Sequence, residues 1–219
     1  MLINEIFYSI QGEGSLSGTP SQFIRTSGCN LRCVWCDTPH TSWDSVGTSM
    51  TVDEIAEQVM DDIPHLVITG GEPLIQADLP KLISKLRRPE RHITVETAGT
   101  IFTEAARPNL FSVSPKLSSS WPTAGGEREI HHRNLIEKYV PHYRDSGVSV
   151  QWKFVLDTKS EMREVLRFVE EYDLSTADVW LMPQATTVAQ MQEKSEWVGQ
   201  LCMDFQCNFS PRLQVDLWR

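Results

Sequence analysis

The sequence has little positive charge, no long apolar run and few cysteines. Its 20 lysines and arginines stand against 29 aspartates and glutamates, which gives a formal net charge of −9. A chain this acidic suits neither a general nucleic-acid surface nor an anionic membrane, although it permits a local basic pocket. No apolar run has the length of a membrane span. We therefore expect a small-molecule substrate and no nucleic-acid or membrane partner.

The sequence also lacks the marks of a secreted protein. Residues 1–5 show no basic region leading into an apolar stretch and a cleavage site, so we expect a cytoplasmic location. The five cysteines are an odd number, whereas a disulfide framework would use pairs. A reducing compartment would keep these thiols free. The length of 219 residues suffices for one core, so we expect one domain over residues 1–219.

Three of the cysteines are clustered, and they are the most informative feature of the chain. Cys29, Cys33 and Cys36 have the spacing C-x3-C-x2-C. Three thiolates on a 4Fe–4S cube leave one iron without a protein ligand, and that iron can bind a small molecule. A structural zinc site normally has four ligands in two pairs, and Cys202 and Cys207 lie far along the chain. Zinc fits the spacing poorly, and three buried thiols without a metal are the other alternative.

Strand-like apolar runs alternate with helical patterns along the chain. Capping boxes at Thr51–Glu54 and Thr158–Glu161 predict two helix starts. Strands separated by helices predict an α/β protein with a mostly parallel sheet. A polar loop at 117–127 is expected to be exposed or to act as a lid, and residues 212–218 alternate like an edge strand. The predicted strands are 2–10, 21–26, 66–69, 93–96, 110–116, 148–156 and 179–182, and the predicted helices are 52–61, 78–88, 129–145, 159–169 and 187–202.

Polar and small residues follow most of the predicted strands. Ligands gather at the carboxyl ends of parallel strands, so these residues are expected on one rim of the sheet. Judged alone, Lys116 is better explained as a solvated lysine and Gln184 as a polar loop residue, and Glu96 could simply cap a strand end. The segments in question are Cys29–Cys36, Thr69–Glu72, Glu96–Gly99, Ser114–Lys116 and Met182–Gln184.

The cysteine spacing, with Trp35 before Cys36, resembles the radical S-adenosylmethionine (SAM) superfamily, and Gly70–Pro73 resembles its GGEP motif. The resemblance implies a 4Fe–4S cluster whose open iron chelates SAM and supplies the electron that cleaves it to a 5′-deoxyadenosyl radical. It implies an external one-electron donor. It also implies a partial (βα)6 barrel with shortened helices and mostly parallel strands. The residues that it places at SAM are Trp35, Cys36, Asp37, Gly71, Glu72, Glu96, Ser114, Pro115, Lys116 and Gln184.

A longer series of motifs resembles one family within that superfamily, the 7-carboxy-7-deazaguanine synthases. This resemblance implies conversion of 6-carboxy-5,6,7,8-tetrahydropterin to 7-carboxy-7-deazaguanine with loss of ammonia, on the way to queuosine and other deazapurines. It implies that SAM is re-formed in each cycle, that Mg²⁺ is required and that the protein is a homodimer. The motifs, in order, are Ile10–Gly14, Phe23–Arg25, Cys36–Thr38, Thr69–Pro73, Glu96–Thr100 and Val113–Ser118.

The same resemblance assigns residues to the substrate and the ion. Glu13 would accept hydrogen bonds from the amino and ring N–H groups of the pterin, and Arg25 would pair with its carboxylate. The Thr38 hydroxyl would bind Mg²⁺. The family also uses its chain terminus at the substrate, which adds Arg219. The complete set of implied substrate residues is Ile10, Gln11, Gly12, Glu13, Arg25, Thr69 and Arg219.

Two other functions remain open at this level. An activating enzyme for a glycyl-radical protein shares the cysteine spacing and the size, but a peptide groove has no evident need for Gln11–Glu13 and Arg25. A non-catalytic metal-binding or redox module would need a fourth ligand, so Cys202 or Cys207 would have to reach the triplet.

Overall fold

A computed structural model describes residues 1–122 and 127–218, and within them the framework is one open nine-stranded sheet. The strand order is β3-β1-β2-β4-β5-β6-β7-β8-β9. The first strand runs antiparallel to both neighbours, and the seven strands from β2 to β9 along that order are parallel. The strands are β1 Leu2–Ile10, β2 Pro20–Thr26, β3 Thr48–Ser49, β4 His65–Gly70, β5 His92–Thr97, β6 Leu110–Val113, β7 Ser149–Leu156, β8 Val179–Pro183 and β9 Asn208–Phe209.

Helices connect β4 to β5 and each pair of consecutive strands from β6 to β9, as in repeated strand–helix–strand units, whereas residues 98–109 join β5 to β6 without a helix. The predicted α/β class with a partial, unclosed barrel is therefore confirmed. Among the described residues, no helix combines the length and the apolar character needed to cross a membrane. The helices are α1 Pro39–Ser42, α2 Val52–Glu57, α3 Leu79–Leu86, α4 Glu127–Arg144, α5 Met162–Glu171, α6 Val188–Phe205 and α7 Leu213–Trp218.

Local capping chemistry explains where α2 begins and where the 3₁₀ turn Lys159–Glu161, which leads into α5, begins. Thr51 Oγ1 accepts a hydrogen bond from Glu54 N at 3.2 Å, and Thr51 N donates to Glu54 Oε2 at 2.8 Å. The second predicted box is also present, with Thr158 N donating to Glu161 Oε2 at 2.7 Å. Each box satisfies N–H groups that a helix start leaves without partners. Both predicted capping boxes are confirmed, although α2 is shorter than predicted.

The core lies between the sheet and the helices that cover it. Leu66 and Ile68 of β4 are fully buried, as expected for a parallel strand covered on both faces. The predicted apolar face of α3 is buried against the same core, with Leu82 and Ile83 at 0 % and 1 % exposure. This packing holds the carboxyl ends of the strands at one rim.

One expectation about a connecting segment is wrong. Residues 213–218 of the predicted edge strand 212–218 form the helix α7, because the alternation does not correspond to one buried face. Val215 is buried, whereas Leu217 is half exposed. In the 117–127 loop, Ser118 and Ser119 are exposed, Leu117 and Ser120 are buried, and residues 123–126 lie outside the described residues, so its role as a lid stays a prediction.

A buried histidine at the amino end of β4, away from the carboxyl rim of the sheet, makes the stability of the fold sensitive to acid. His65 Nδ1 lies 2.7 Å from Ser21 Oγ, and its Nε2 lies 2.9 Å from Thr94 Oγ1. Burial and the nearby His92 lower the pKa of His65 from 6.5 to about 4. Because the folded-state pKa lies below that of the unfolded chain, this stability is full above about pH 6.5 and is lost as the pH falls toward 4.

We expect acidification from pH 7.5 to 5 to reduce the free energy of unfolding by about 2 kcal/mol through His65. The His65→Gln variant keeps a polar side chain without titrating, so its loss over the same range should be smaller by that amount. Urea-unfolding midpoints of both proteins at the two pH values measure the difference. An equal loss in both proteins would contradict this assignment.

Candidate active site

The predicted strand-end residues surround one basin at the carboxyl rim of the parallel strands. The basin has a volume of about 360 Å³. Glu72 and Pro115 are buried outside its wall, and Arg219 lies outside the described residues. The predicted residues that line the basin are Ile10, Gln11, Gly12, Glu13, Arg25, Cys29, Cys33, Trp35, Cys36, Asp37, Thr38, Thr69, Gly71, Glu96, Ser114, Lys116 and Gln184.

The cysteine loop forms one wall of the basin, between β2 and α1. Gly28 opens it with a φ of +100°, a backbone conformation that side chains rarely adopt. Gly28 N donates to Thr41 O at 2.8 Å, which ties the two ends of the loop together. Val34 N donates to Ser120 O at 2.9 Å, so the segment after β6 supports the loop from the other side.

The three thiols of this loop fit an iron–sulfur cluster better than a single metal ion. Cys29, Cys33 and Cys36 are free and all line the basin. Among the described residues, no three cysteine, histidine or acidic side chains converge as ligands of one ion would. In a 4Fe–4S cube each thiolate binds a different iron, so the sulfurs stand apart around a shared space. Leu31 N also donates to Cys29 Sγ at 3.4 Å, the kind of hydrogen bond that tunes such clusters.

The protonation of these thiols agrees with a metal-dependent site. Burial is the main cause that raises the pKa of Cys29 to about 11, and burial also raises the pKa of Cys33. Both are therefore neutral thiols at physiological pH until a metal displaces the proton. Cys202 and Cys207 do not supply a further ligand, because they pack with the main core beside β9 and do not line the basin.

The turn after β4 approaches the cysteine loop so closely that only glycine fits. A Cβ on Gly71 would lie 2.2 Å from the carbonyl oxygen of Gly28 and 2.7 Å from that of Thr41. A Cβ on Gly70 would lie 2.1 Å from Thr26 O. The glycine pair therefore places the backbone of this turn beside the cysteines.

The buried Glu72 side chain stabilises this turn through hydrogen bonds. Its carboxylate is fully buried and accepts hydrogen bonds from Thr97 Oγ1 at 2.8 Å, Ala98 N at 2.9 Å and Leu74 N at 3.1 Å. Burial raises its pKa, although these donors act in the opposite direction. The side chain thus joins the turn to the end of β5 and does not face the basin. The sequence motif carried no signal of this orientation, which depends on Thr97 and Ala98.

Glu13 and its partners form a second wall of the basin. Lys153 Nζ donates to Glu13 Oε2 at 2.5 Å, and Gln214 Nε2 donates to Glu13 Oε1 at 2.6 Å. The guanidinium Nε of Arg212 lies 3.4 Å from the same Oε1. Burial alone would raise the pKa of Glu13, but Lys153 and Arg212 outweigh it and lower the pKa to about 2. Glu13 is therefore an ionised carboxylate held by two buried cations.

Sequence reasoning missed Lys153, Arg212 and Gln214. The one available signal was Lys153, which interrupts an apolar strand pattern at 148–156 and, at 4 % exposure, needs a buried anion as partner. Arg212 and Gln214 lay in a segment predicted to be an edge strand. Their partner Glu13 is about 200 residues away in the chain, and no local pattern records such a contact.

A second carboxylate lies beside this wall. Glu96 Oε1 accepts from Gln11 Nε2 at 3.0 Å, and its Oε2 accepts from Thr69 Oγ1 at 2.8 Å. Gln11 Oε1 in turn accepts from Glu13 N at 3.1 Å. These bonds link the ends of β4 and β5 to the loop after β1.

Arg25 stands at the rim of the basin on β2. Its Nε donates to Glu5 Oε1 at 2.7 Å, and its guanidinium lies 5.4 Å from the centre of the Phe7 ring. The Glu5 side chain is 47 % exposed, so water weakens this pair. A bound carboxylate could therefore replace Glu5 as the partner of Arg25.

The remaining predicted residues lie between the two walls. Thr38 Oγ1 is 3.9 Å from Cys36 Sγ, and Lys116 Nζ donates to Ser114 Oγ at 3.0 Å. Gln184 Oε1 accepts from Lys194 Nζ at 3.3 Å. Among the described residues, the buried Trp35 indole Nε1 has no hydrogen-bond partner, which leaves one donor in the basin wall for a ligand.

The chain is similar to known proteins both in sequence and in fold. A model of the radical SAM superfamily matches residues 23–112. The chain is 42 % identical to a 7-carboxy-7-deazaguanine synthase of Halobacterium salinarum, over 99 % of this chain and 90 % of that protein. It is 40 % identical to the synthase of Rhodopirellula baltica, over 98 % and 85 %. The crystal structure of QueE from Escherichia coli has the same fold, with a TM-score of 0.64 at 22 % identity over 95 % of this chain and 92 % of that one.

Proposed function

The chain belongs to the family of 7-carboxy-7-deazaguanine synthases, and we propose that the basin is its active site. The protein is a radical SAM enzyme that converts 6-carboxy-5,6,7,8-tetrahydropterin to 7-carboxy-7-deazaguanine with loss of ammonia. One observation carries the assignment to the basin. The ionised Glu13 and the three free cysteines line the same cavity.

The cysteine wall is the proposed cofactor side. Cys29, Cys33 and Cys36 would hold the 4Fe–4S cluster, which when bound supplies the electron that cleaves SAM. The turn at Gly71 would offer backbone oxygens to the SAM amino group. Ser114 and Lys116 would offer a hydroxyl and an ammonium to its polar groups, supported by their shared hydrogen bond.

The Glu13 wall is the proposed pterin side. An ionised carboxylate has about four acceptor positions, and Lys153 and Gln214 use two of them. The others suit the adjacent amino and ring N–H donors of a pterin. Because two cations hold Glu13 ionised, it can only accept hydrogen bonds, which favours a ligand edge made of donors. Arg25 at the rim would then pair with the substrate carboxylate.

Several further features remain proposals. Thr38, beside Cys36, would bind Mg²⁺ together with the substrate carboxylate and water. An external donor would supply the electron. The five free cysteines suit a reducing cytoplasm. The homodimer implied by the family stays a prediction.

The function is tested by anaerobic reconstitution with iron and sulfide, followed by reductant, SAM, Mg²⁺ and 6-carboxytetrahydropterin. We expect mass spectrometry to detect 7-carboxy-7-deazaguanine. SAM cleavage without this product would overturn the pterin assignment, as would product formation from peptide substrates of the glycyl-radical class. Bound zinc without SAM cleavage would overturn the radical enzyme as well.

The close approach at Gly71 makes a separate prediction. In Gly71→Ala the new Cβ meets two backbone oxygens that cannot rotate away, and such overpacking costs about 1–3 kcal/mol. The turn must move, so we expect SAM affinity to fall roughly tenfold. Equilibrium binding of SAM to the reconstituted enzyme measures this.

A matched control is Gly199→Ala in α6, where a Cβ would meet nothing within 4 Å. This variant should bind SAM as the wild type does. Wild-type SAM affinity in Gly71→Ala would contradict the prediction, because the turn would then accommodate a Cβ without moving.

A further inference from the structure

Arg212 occupies a buried position between the two walls of the basin. It lies in the segment between β9 and α7 and is 5 % exposed. Its Nη1 donates to Ala185 O at 2.6 Å, and its Nη2 donates to Asp37 Oδ2 in the cysteine loop. Its Nε lies 3.4 Å from Glu13 Oε1. One planar side chain thus joins the loop after β1, the loop after β2 and the loop after β8.

The backbone on either side of Arg212 is attached to the Glu13 loop as well. Gly14 N donates to Ser210 Oγ at 2.8 Å, and Leu213 N donates to Gly12 O at 3.1 Å. Any displacement of Arg212 together with the cysteine loop would therefore also displace the Glu13 loop. Its rigid guanidinium presents donors at fixed angles, which a lysine ammonium in the same place would not reproduce.

The charges around Arg212 agree with a bridging arrangement. Two carboxylates face it, Glu13 at 15 % exposure and Asp37 at 44 %. Lys153 donates to Oε2 of Glu13, whereas Arg212 lies near Oε1, so Glu13 remains ionised between two cations. The Nε of Arg212 has no hydrogen-bond partner in the part of the chain that the structure describes, so the guanidinium has one donor left at this point.

We propose that Arg212 is a positioning residue that holds the Glu13 loop and the Asp37 loop at a fixed separation, so that substrate and SAM stay in register. The proposal rests on the proposed function. In a reaction that re-forms SAM, a fixed distance between substrate and SAM lets 5′-deoxyadenosine give back the hydrogen that its radical abstracted, so little 5′-deoxyadenosine accumulates. A less fixed distance should release 5′-deoxyadenosine without product.

The test uses reconstituted holoenzyme and the variants Arg212→Lys and Arg212→Gln. The ratio of 5′-deoxyadenosine to 7-carboxy-7-deazaguanine is the decisive readout, because loss of folded enzyme lowers both and leaves their ratio unchanged. A misplacement of about 1 Å can lower a rate roughly a hundredfold. We expect the ratio to rise about tenfold or more in both variants, and the KM for the pterin to rise with it.

Arg91→Lys is a matched control. Arg91 is also buried, at 3 % exposure, but its guanidinium bonds only to backbone carbonyls near the opposite ends of the strands, such as Ile63 O and Leu86 O. Its replacement should lower thermal stability and leave the ratio at the wild-type value. A raised ratio in Arg91→Lys would show that general loosening explains the effect, and would overturn the proposal.

The remaining outcomes separate the two levels of the account. If wild-type enzyme makes no 7-carboxy-7-deazaguanine, the proposed function fails. If wild type makes it and Arg212→Lys keeps the wild-type ratio and KM, only the positioning proposal fails. Should both Arg212 variants fail to fold, Asp37→Asn removes the charge at the exposed end of the bridge, and an unchanged ratio in that variant overturns the proposal.

Discussion

Replacing any one of Cys29, Cys33 and Cys36 by alanine should abolish formation of 7-carboxy-7-deazaguanine. Two thiolates cannot hold the cluster in the arrangement that leaves one open iron. We expect product formation to fall on the order of a thousandfold or more, equivalent to about 4 kcal/mol of lost transition-state stabilisation. Iron and sulfide content per chain measures the loss of the cluster, and mass spectrometry of the reaction mixture measures the loss of product.

The chain contains its own matched control for this experiment. Cys207→Ala removes a free, partly exposed thiol that does not line the basin. This variant should keep the iron content and the product yield of the wild type. Equal loss of iron in Cys207→Ala and Cys33→Ala would contradict the assignment of the cluster to the triplet.

Replacing Glu13 by glutamine should remove product formation while leaving the cluster in place. The change leaves Lys153 and Arg212 buried without their common anion, and breaking a buried pair in this way costs about 3–5 kcal/mol. The proposed pterin contact is lost at the same time. We expect kcat/KM for the pterin to fall at least about a hundredfold, and iron content to stay near the wild-type value.

A double variant separates stability from function. Glu13→Gln with Lys153→Met removes both members of the buried pair, so folding should recover relative to Glu13→Gln alone. Product formation should not recover, because the acceptor for the pterin is still missing. Recovery of activity together with stability would show that Glu13 acts only through the fold.

The parts of the site that the sequence predicts are those with a local signal. The cysteine spacing records ligands of one cluster within eight residues. Strand-end loops of a parallel sheet share one rim, so predicting the strands also brings Thr69, Glu96 and Lys116 together. The resemblance then assigned chemistry to these positions.

What the sequence does not predict depends on tertiary contacts. The hydrogen-bond partners of Glu13 come from β7 and from α7, at separations of 140 and 201 residues. Residues 212–218 alternate, but alternation over so short a stretch does not distinguish an edge strand from a helix that buries Val215 and exposes Leu217. Glu72 matched its motif, yet the side chain satisfies buried donors at the end of β5.

The central claim is that one basin holds the cluster with SAM on one wall and the pterin on the other. The most direct test follows a deuterium placed at C6 of 6-carboxytetrahydropterin during turnover of the reconstituted wild-type enzyme. The account predicts that mass spectrometry finds deuterium in the recovered SAM or 5′-deoxyadenosine, since the two sites share one cavity. Product formation with no deuterium in the recovered SAM or 5′-deoxyadenosine would contradict it.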